Sequence, residues 1–299
     1  MIKNLFWKVL GTKRLLETLI HNRYEQRRLS LADHMLHDRE MGVNTDLYTN
    51  HRIILSLTTF GKRIYDVAFT IESIMQQSMK ANKIILWLDY SFEKKRLPHS
   101  LERQCERGLE ICYCDDIRSY QKLIPSLRCF PNDAIITIDD DALYDPDLLE
   151  RLIVPYLESP QFIYCHRYHK MELDHKGFLL PYNKWDLYCK DEEPSHLNFA
   201  TGVGGILYPP HSLDEEVLNE SVFMDICKYA DDVWFKAMAI KKGTKVKKVY
   251  TRTRTCSEYL LNESVQDVGL LNINFKGEML NDKQLAAVFS KYDLYNIIK

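Results

Sequence analysis

Three consecutive carboxylates, Asp139-Asp140-Asp141, follow the apolar run Ile135-Ile136-Thr137-Ile138. Extended geometry places Asp139 and Asp141 on one side of the chain and Asp140 on the other. Carboxylates held together repel unless a proton or a cation sits between them. Hard oxygen ligands with open positions suit Mg2+ or Mn2+ that also holds substrate phosphates. The plainer reading is an acidic turn after a strand, with Asp145 capping the next helix and Pro146 at its first position.

A second acidic pair, Ala230-Asp231-Asp232-Val233-Trp234, opens a run with apolar residues at Val233, Phe235, Ala237, Met238 and Ile240. One aspartate is a natural N-cap, and a second is more than a cap needs. A carboxylate there can accept a proton from an attacking hydroxyl, although the helix dipole makes it a weaker base. Thr201-Gly202-Val203-Gly204-Gly205 precedes Ile206-Leu207-Tyr208. Such a cluster permits close backbone approach to a ligand or a turn with φ > 0; a plain loop is the alternative. It lacks the G-x-G-x-x-G pattern of dinucleotide sites.

The remaining signals are weaker. Arg63, Lys122, Arg252 and Arg254 are each able to meet a phosphate, or to be solvated surface cations. His166, His169 and His175 lie near Tyr164, Tyr168, Tyr182 and Trp185, a composition suited to sugar faces but without metal-site spacing. Asn281-Asp282-Lys283-Gln284 reads first as a capping arrangement, with Gln284 placed to reach back.

The elements that must position these residues alternate. Arg52–Thr58, Lys83–Leu88, Leu109–Cys114 and Ala134–Ile138 are short apolar runs that read as buried strands. Helical stretches lie between them: one face from Ile64 to Met75, another around Leu101–Arg107, and a short helix from Tyr120 containing Pro125. Strand–helix alternation at this spacing predicts a parallel α/β sheet, in which ligands bind beyond the carboxyl ends of the strands. Thr58-Thr59, Asp89, Asp115-Asp116 and Asp139-Asp140-Asp141 would then converge on one edge.

The 299 residues carry 40 Lys+Arg and 42 Asp+Glu, a net charge of −2, with 45% hydrophobic and 27% charged residues. This balance excludes collagen-like and wholly disordered chains and gives no global attraction to nucleic acid. No run approaches the ~20 apolar residues of a transmembrane helix. The eight cysteines contain no C-x-x-C, and buried reduced thiols in a cytoplasmic protein are the expectation. Residues 1–28 differ in carrying a net charge of +5, with Ile2, Leu5, Phe6, Val9, Leu16, Leu19 and Ile20 at helical spacing. A basic amphipathic helix there either lies on an anionic membrane or packs on the domain or a second subunit.

Taken in order, ILSLTTFGKRI, KIILWLD, SYQKLIPSL, ITIDDDALY, NFATGVGGILYPP and ADDVWFKAM resemble the GT-A glycosyltransferases that use nucleotide sugars. The likeness is to the family 2-like enzymes of bacterial surface-polysaccharide clusters and covers roughly residues 50–295. It implies a single GT-A domain over 50–299, with an open, mostly parallel, Rossmann-like sheet flanked by helices, behind a helical extension over 1–49. It implies a D-x-D holding Mn2+ or Mg2+ and the donor diphosphate, through Asp141 and Asp139. Thr58, Thr59, Arg63, Asp89, Lys122, Asp139 and Asp140 match donor-side positions, and Gly204 and Gly205 match the loop near sugar and acceptor. Asp232 matches the catalytic aspartate and Asp231 its partner. The family's usual pair is Glu-Asp, so which carboxylate is the base stays open; the late metal-ligating histidine of some members has no counterpart, since no His follows His211.

The expectation is a metal-dependent hexosyltransferase moving a sugar from a nucleoside diphosphate, UDP first among them, to a hydroxyl of a glycan or lipid-linked acceptor. Direct displacement would invert the anomeric centre, and a retaining enzyme of this fold stays open. Such an enzyme is expected in the cytoplasm, at the inner face of the plasma membrane if the extension binds lipid. A nucleotidyltransferase on a similar sheet and a non-catalytic carbohydrate-binding protein are the alternatives.

Overall fold

The computed structural model describes residues 2–263 and 280–298, with backbone alone for residues 2–13. The described strands are β1 (Ile53–Thr58), β2 (Lys83–Asp89), β3 (Leu109–Cys114), β4 (Ala134–Thr137), β5 (Ala142–Tyr144), β6 (Ile163–Cys165), β7 (Tyr168–Lys170), β8 (Asn198–Ala200), β9 (Ile206–Tyr208), β10 (Val246–Lys248) and β11 (Tyr259–Leu261). β5 pairs with β11 and β7 with β8, and the other seven form the central sheet in the order β10-β6-β9-β4-β1-β2-β3. β1 pairs in parallel with β2 and β4, and β2 with β3. β9 runs antiparallel to β4 and β6, and β10 runs parallel to β6. The expected α/β fold with a mostly parallel sheet is therefore present. β1, β2 and β4 fall where their apolar runs lie because both sheet faces are covered there, whereas the edge strand β3 is only partly buried and carries the exposed Glu110.

The carboxyl ends of β1, β2, β3, β4 and β6 share one edge. Because β9 runs the other way, the glycine cluster before it reaches that same edge. Ile54, Ile85, Ile135 and Ile206 face one core layer with Trp234 and Met238, while Leu55, Leu86, Ile136 and Leu207 face the other with Ile71 and Leu149.

Several local expectations are corrected. Helix α5 (Leu148–Glu158) starts after Asp147, and Asp145 does not cap it. Asp145 instead meets Arg252 at 2.8 Å, within a network where Arg252 and Arg151 also bind Asp147 and Glu258. Arg252 is therefore committed to structure. Tyr164, Tyr168, Tyr182 and Trp185 are buried, and Tyr182, Trp185, Phe199 and His169 pack on one another as core, not as a sugar platform. His166 and His169 are buried too, and burial lowers their pKa values to about 3 and about 4. All eight cysteines are free thiols, but only Cys165, Cys227 and Cys256 are buried.

Helix α1 (Ile2–His37) forms the expected extension. Tyr24 and Leu31 bury against Leu143, Phe69 and Leu260, which anchors its second half on the domain. Leu15, Leu16, Leu19 and Ile20 are exposed. The side chains of Ile2, Leu5, Phe6 and Val9 lie outside the described residues. Among the described residues no helix is long and apolar enough to cross a membrane.

Candidate active site

Helix α7 (Asp231–Lys242) follows a segment fixed from two sides. The Tyr120 hydroxyl donates to the Cys227 carbonyl at 2.6 Å, and Gln284 accepts from the Tyr229 N–H at 3.0 Å. Gln284 therefore secures the approach to α7 rather than closing a capping box on its own helix. Asp282 likewise accepts from the Tyr182 N–H at 2.8 Å. Ala230 is the N-cap and makes no side-chain cap bond, so both aspartates sit inside the first turn. The capping explanation for the acidic pair thus fails. At the far end Gly243 closes the helix with φ of +82°, a left-handed conformation suited to glycine.

Lys122 joins the two acidic motifs. Its ammonium lies 3.0 Å from Asp139 and 3.0 Å from Asp231. It comes from a 3-10 turn (Arg118–Lys122) after β3, whose Tyr120 stacks on Phe223 at 4.1 Å. The surrounding carboxylates hold the Lys122 pKa well above its ordinary value against the cost of burial.

Asp232 accepts from the Gly202 N–H at 3.2 Å through Oδ2. Its Oδ1 is buried and has no donor among the described residues. Burial, reinforced by repulsion from Asp231, raises the Asp232 pKa to about 7. A carboxyl so held is poised to take a proton near neutral pH. Gly202 is the glycine that makes the close approach: a Cβ there would stand 2.8 Å from the Lys122 ammonium and 3.4 Å from Asp232. Gly204 instead lies against Arg167 and His166, and Gly205, with φ of +82°, lies over Leu148 and Leu152.

The three-aspartate run does not alternate as an extended strand would, because the chain turns at Asp140 and Asp141. Arg63 bridges these two, at 2.7 Å to Asp140 and 3.1 Å to Asp141, while Asp139 turns to Lys122. Thr59 donates to the other Asp140 oxygen at 2.5 Å. Burial outweighs these partners and raises the Asp140 pKa to about 6. Tyr144, unremarked in the sequence, links the run to the glycine loop: its hydroxyl accepts from the Asp139 N–H and donates to the Val203 carbonyl.

Thr58 and Asp89 stand further along the edge. The Thr58 hydroxyl donates to the Trp87 carbonyl at 2.9 Å, and Asp89 caps the turn after β2 by accepting from Ser91 N–H at 2.7 Å. Asp139, at 31%, is the most exposed carboxylate of its run, against 11% for Asp141 and 6% for Asp140. Among the described residues no group of three or more His, Cys, Asp or Glu is arranged as an all-protein metal cage. One or two carboxylates at the mouth of the site suffice for Mg2+ or Mn2+ when substrate phosphates supply other ligands. Asp139 and Asp141, which Lys122 and Arg63 hold in this structure, carry the oxygen donors such a site needs.

No family model matches the chain, and no curated protein matches it. Among solved structures it is similar to the inositol-1-phosphate CTP transferase from T. maritima, at 12% identity over 85% of this chain and 98% of that one, with a TM-score of 0.42. It is also similar to the mannosyltransferase PcManGT from Pyrobaculum calidifontis in complex with GDP-Man and Mn2+, at 15% identity over 92% and 74% of the chains, with a TM-score of 0.48.

Proposed function

We propose that this chain is a glycosyltransferase that moves a sugar from a nucleoside diphosphate to an acceptor hydroxyl. The observation that carries the reading is Asp232: one oxygen is fixed by a backbone N–H, the other lacks a donor, and a lysine-bridged acidic centre lies beside it. Asp232 takes the proton of the attacking hydroxyl. Asp231, bound to Lys122, is its electrostatic partner and keeps its neighbour's affinity for protons high.

The donor occupies the edge beyond β1, β2 and β4, lined by Thr58, Thr59, Arg63, Asp89 and Lys122, with Asp139 and Asp140 beneath its diphosphate. Asp139 and Asp141 would hold Mg2+ or Mn2+, which when bound neutralises the charge developing on the departing diphosphate. Gly204 and Gly205 shape the acceptor side through the loop that Gly202 presses against the centre.

Residues 14–23 of α1 are proposed to rest on an anionic membrane that presents a lipid-linked acceptor. Leu15, Leu16, Leu19 and Ile20 lie within about 140° of one another around the helix, and residues 1–28 carry a net +5. On this reading the enzyme would work at the cytoplasmic face of the membrane, in surface glycan synthesis.

Product analysis tests the reading and separates it from nucleotidyl transfer. Incubation with a panel of UDP-, GDP- and dTDP-sugars is expected to release a nucleoside diphosphate. Release of pyrophosphate from a nucleoside triphosphate and a sugar phosphate would assign nucleotidyl transfer instead.

A further inference from the structure

Arg167 is a cation held ready without a counter-ion. It follows β6 by two residues and is half-buried. Its Nη1 donates to the Tyr259 hydroxyl at 2.9 Å, and its guanidinium lies 4.9 Å from the centre of the Tyr188 ring. Its Nε is buried without an acceptor. No carboxylate among the described residues pairs with it, whereas Arg63, Arg107 and Arg151 each meet at least one. A guanidinium stays charged at all relevant pH, so taking it from water without an anion costs free energy that an incoming anion recovers.

Its place gives that anion a role. The Arg167 carbonyl accepts from Thr201 N–H at 3.1 Å, and the next residue, Gly202, donates to Asp232. β6 stands two strands from β4, on the side away from β1, β2 and β3, whose loops line the donor site.

We infer that Arg167, clamped by Tyr188 and Tyr259, recognises an anionic group of the acceptor, a carboxylate of an acidic sugar or a phosphate ester, beside the Thr201–Gly202 loop. The inference rests on the glycosyltransferase reading, which defines that side as the acceptor's. The planar fork of arginine suits either group in bidentate contact.

The test uses ligand-observed NMR titrations of the full chain with D-glucuronate, glycerol 1-phosphate and the neutral methyl glucoside. Wild type is expected to bind at least one anion about 10-fold or more tightly than the neutral sugar. That preference should vanish in Arg167→Met and return in part in Arg167→Lys. A response to glucuronate alone assigns a carboxylate, and one to glycerol 1-phosphate alone a phosphate ester. Equal binding of anions and neutral sugar by wild type, a comparison that needs no variant to fold, would overturn the inference. So would a preference unchanged in a folded Arg167→Met. Nucleotide-sugar turnover by wild type is read in parallel. Turnover without anion preference removes this inference alone, and anion preference without turnover removes the transferase reading and leaves Arg167 an anion site with no acceptor assigned.

Discussion

The Lys122 ammonium lies 3.0 Å from a carboxylate oxygen of Asp231, seated in the first turn of α7, more than a hundred residues away in sequence. The same nitrogen reaches Asp139, so one buried cation holds the strand-end carboxylates and the helix carboxylates in a single centre. Replacing it with Lys122→Met leaves two carboxylates without their partner. Breaking a buried pair in this way costs on the order of 3–5 kcal/mol. Urea denaturation is expected to show a loss of that size, and an unchanged midpoint would deny the bridge.

The glycine loop separates packing from site geometry. Gly202→Ala would bring a Cβ to 2.8 Å from the Lys122 nitrogen, the movable end of a long side chain. The expected result is a folded protein with its ammonium displaced and its turnover reduced at least 10-fold. Gly205→Ala should instead lower the melting temperature, since φ of +82° strains any residue with a Cβ by about 1–2 kcal/mol. Thermal melts and turnover measured on both variants check the contrast.

The rate should follow the ionisation of Asp232. Its pKa is raised to about 7, so the basic form is present above that pH and lost as pH falls through it. The acidic limb of kcat/KM is therefore expected near pH 7. Asp231→Asn removes a repulsion and should shift the limb to lower pH. Lys122→Met removes an attraction and should shift it higher, where enough activity remains to measure. Identical limbs in all three proteins would place the titration elsewhere.

Some of this was legible in the sequence, and the remainder has physical reasons for being hidden. β1, β2 and β4 were readable because strands buried on both faces are largely apolar, and the edge strand β3 because its run is apolar apart from the exposed Glu110. Asp145 looked like a cap because capping is a local signal, whereas its partner Arg252 lies 107 residues on. Asp141 joins Asp140 rather than Asp139 because Arg63 spans both, a choice that strand alternation does not encode. The glycine cluster announced a close approach, but only three-dimensional packing distinguishes Gly202 from Gly204 and Gly205. Arg167 was masked by the neighbouring histidines, which proved to be core. Its signal is the absence of a carboxylate partner among the described residues, visible only in the fold.

Metal dependence is expected to run through the carboxylates at the mouth of the site. Asp141→Asn should lose metal-dependent nucleotide binding while the fold survives, and Asp139→Asn should weaken it. Calorimetric titration of a nucleoside diphosphate with Mn2+ or with EDTA reads both. Binding by Asp141→Asn that is as tight as wild type in both conditions would exclude that carboxylate as a ligand.

The two halves of α1 should behave differently. Removing residues 1–22 leaves Tyr24 and Leu31 in place, so the melting temperature should hold while co-sedimentation with anionic vesicles is lost. Each basic residue near such a surface contributes about 1 kcal/mol, so binding of the intact chain should weaken as salt rises. Intact chain that fails to sediment with vesicles at low salt would remove the membrane role.

Turnover of a nucleotide sugar by Asp232→Asn tests the central claim most directly. The substitution keeps the shape and removes the base. The expected outcome is a kcat lowered by a factor on the order of 10²–10⁴, with nucleotide affinity little changed and nucleoside diphosphate still the product of wild type. Wild-type turnover in Asp232→Asn, with its fold and nucleotide binding intact, would contradict the assignment of this carboxylate as the base.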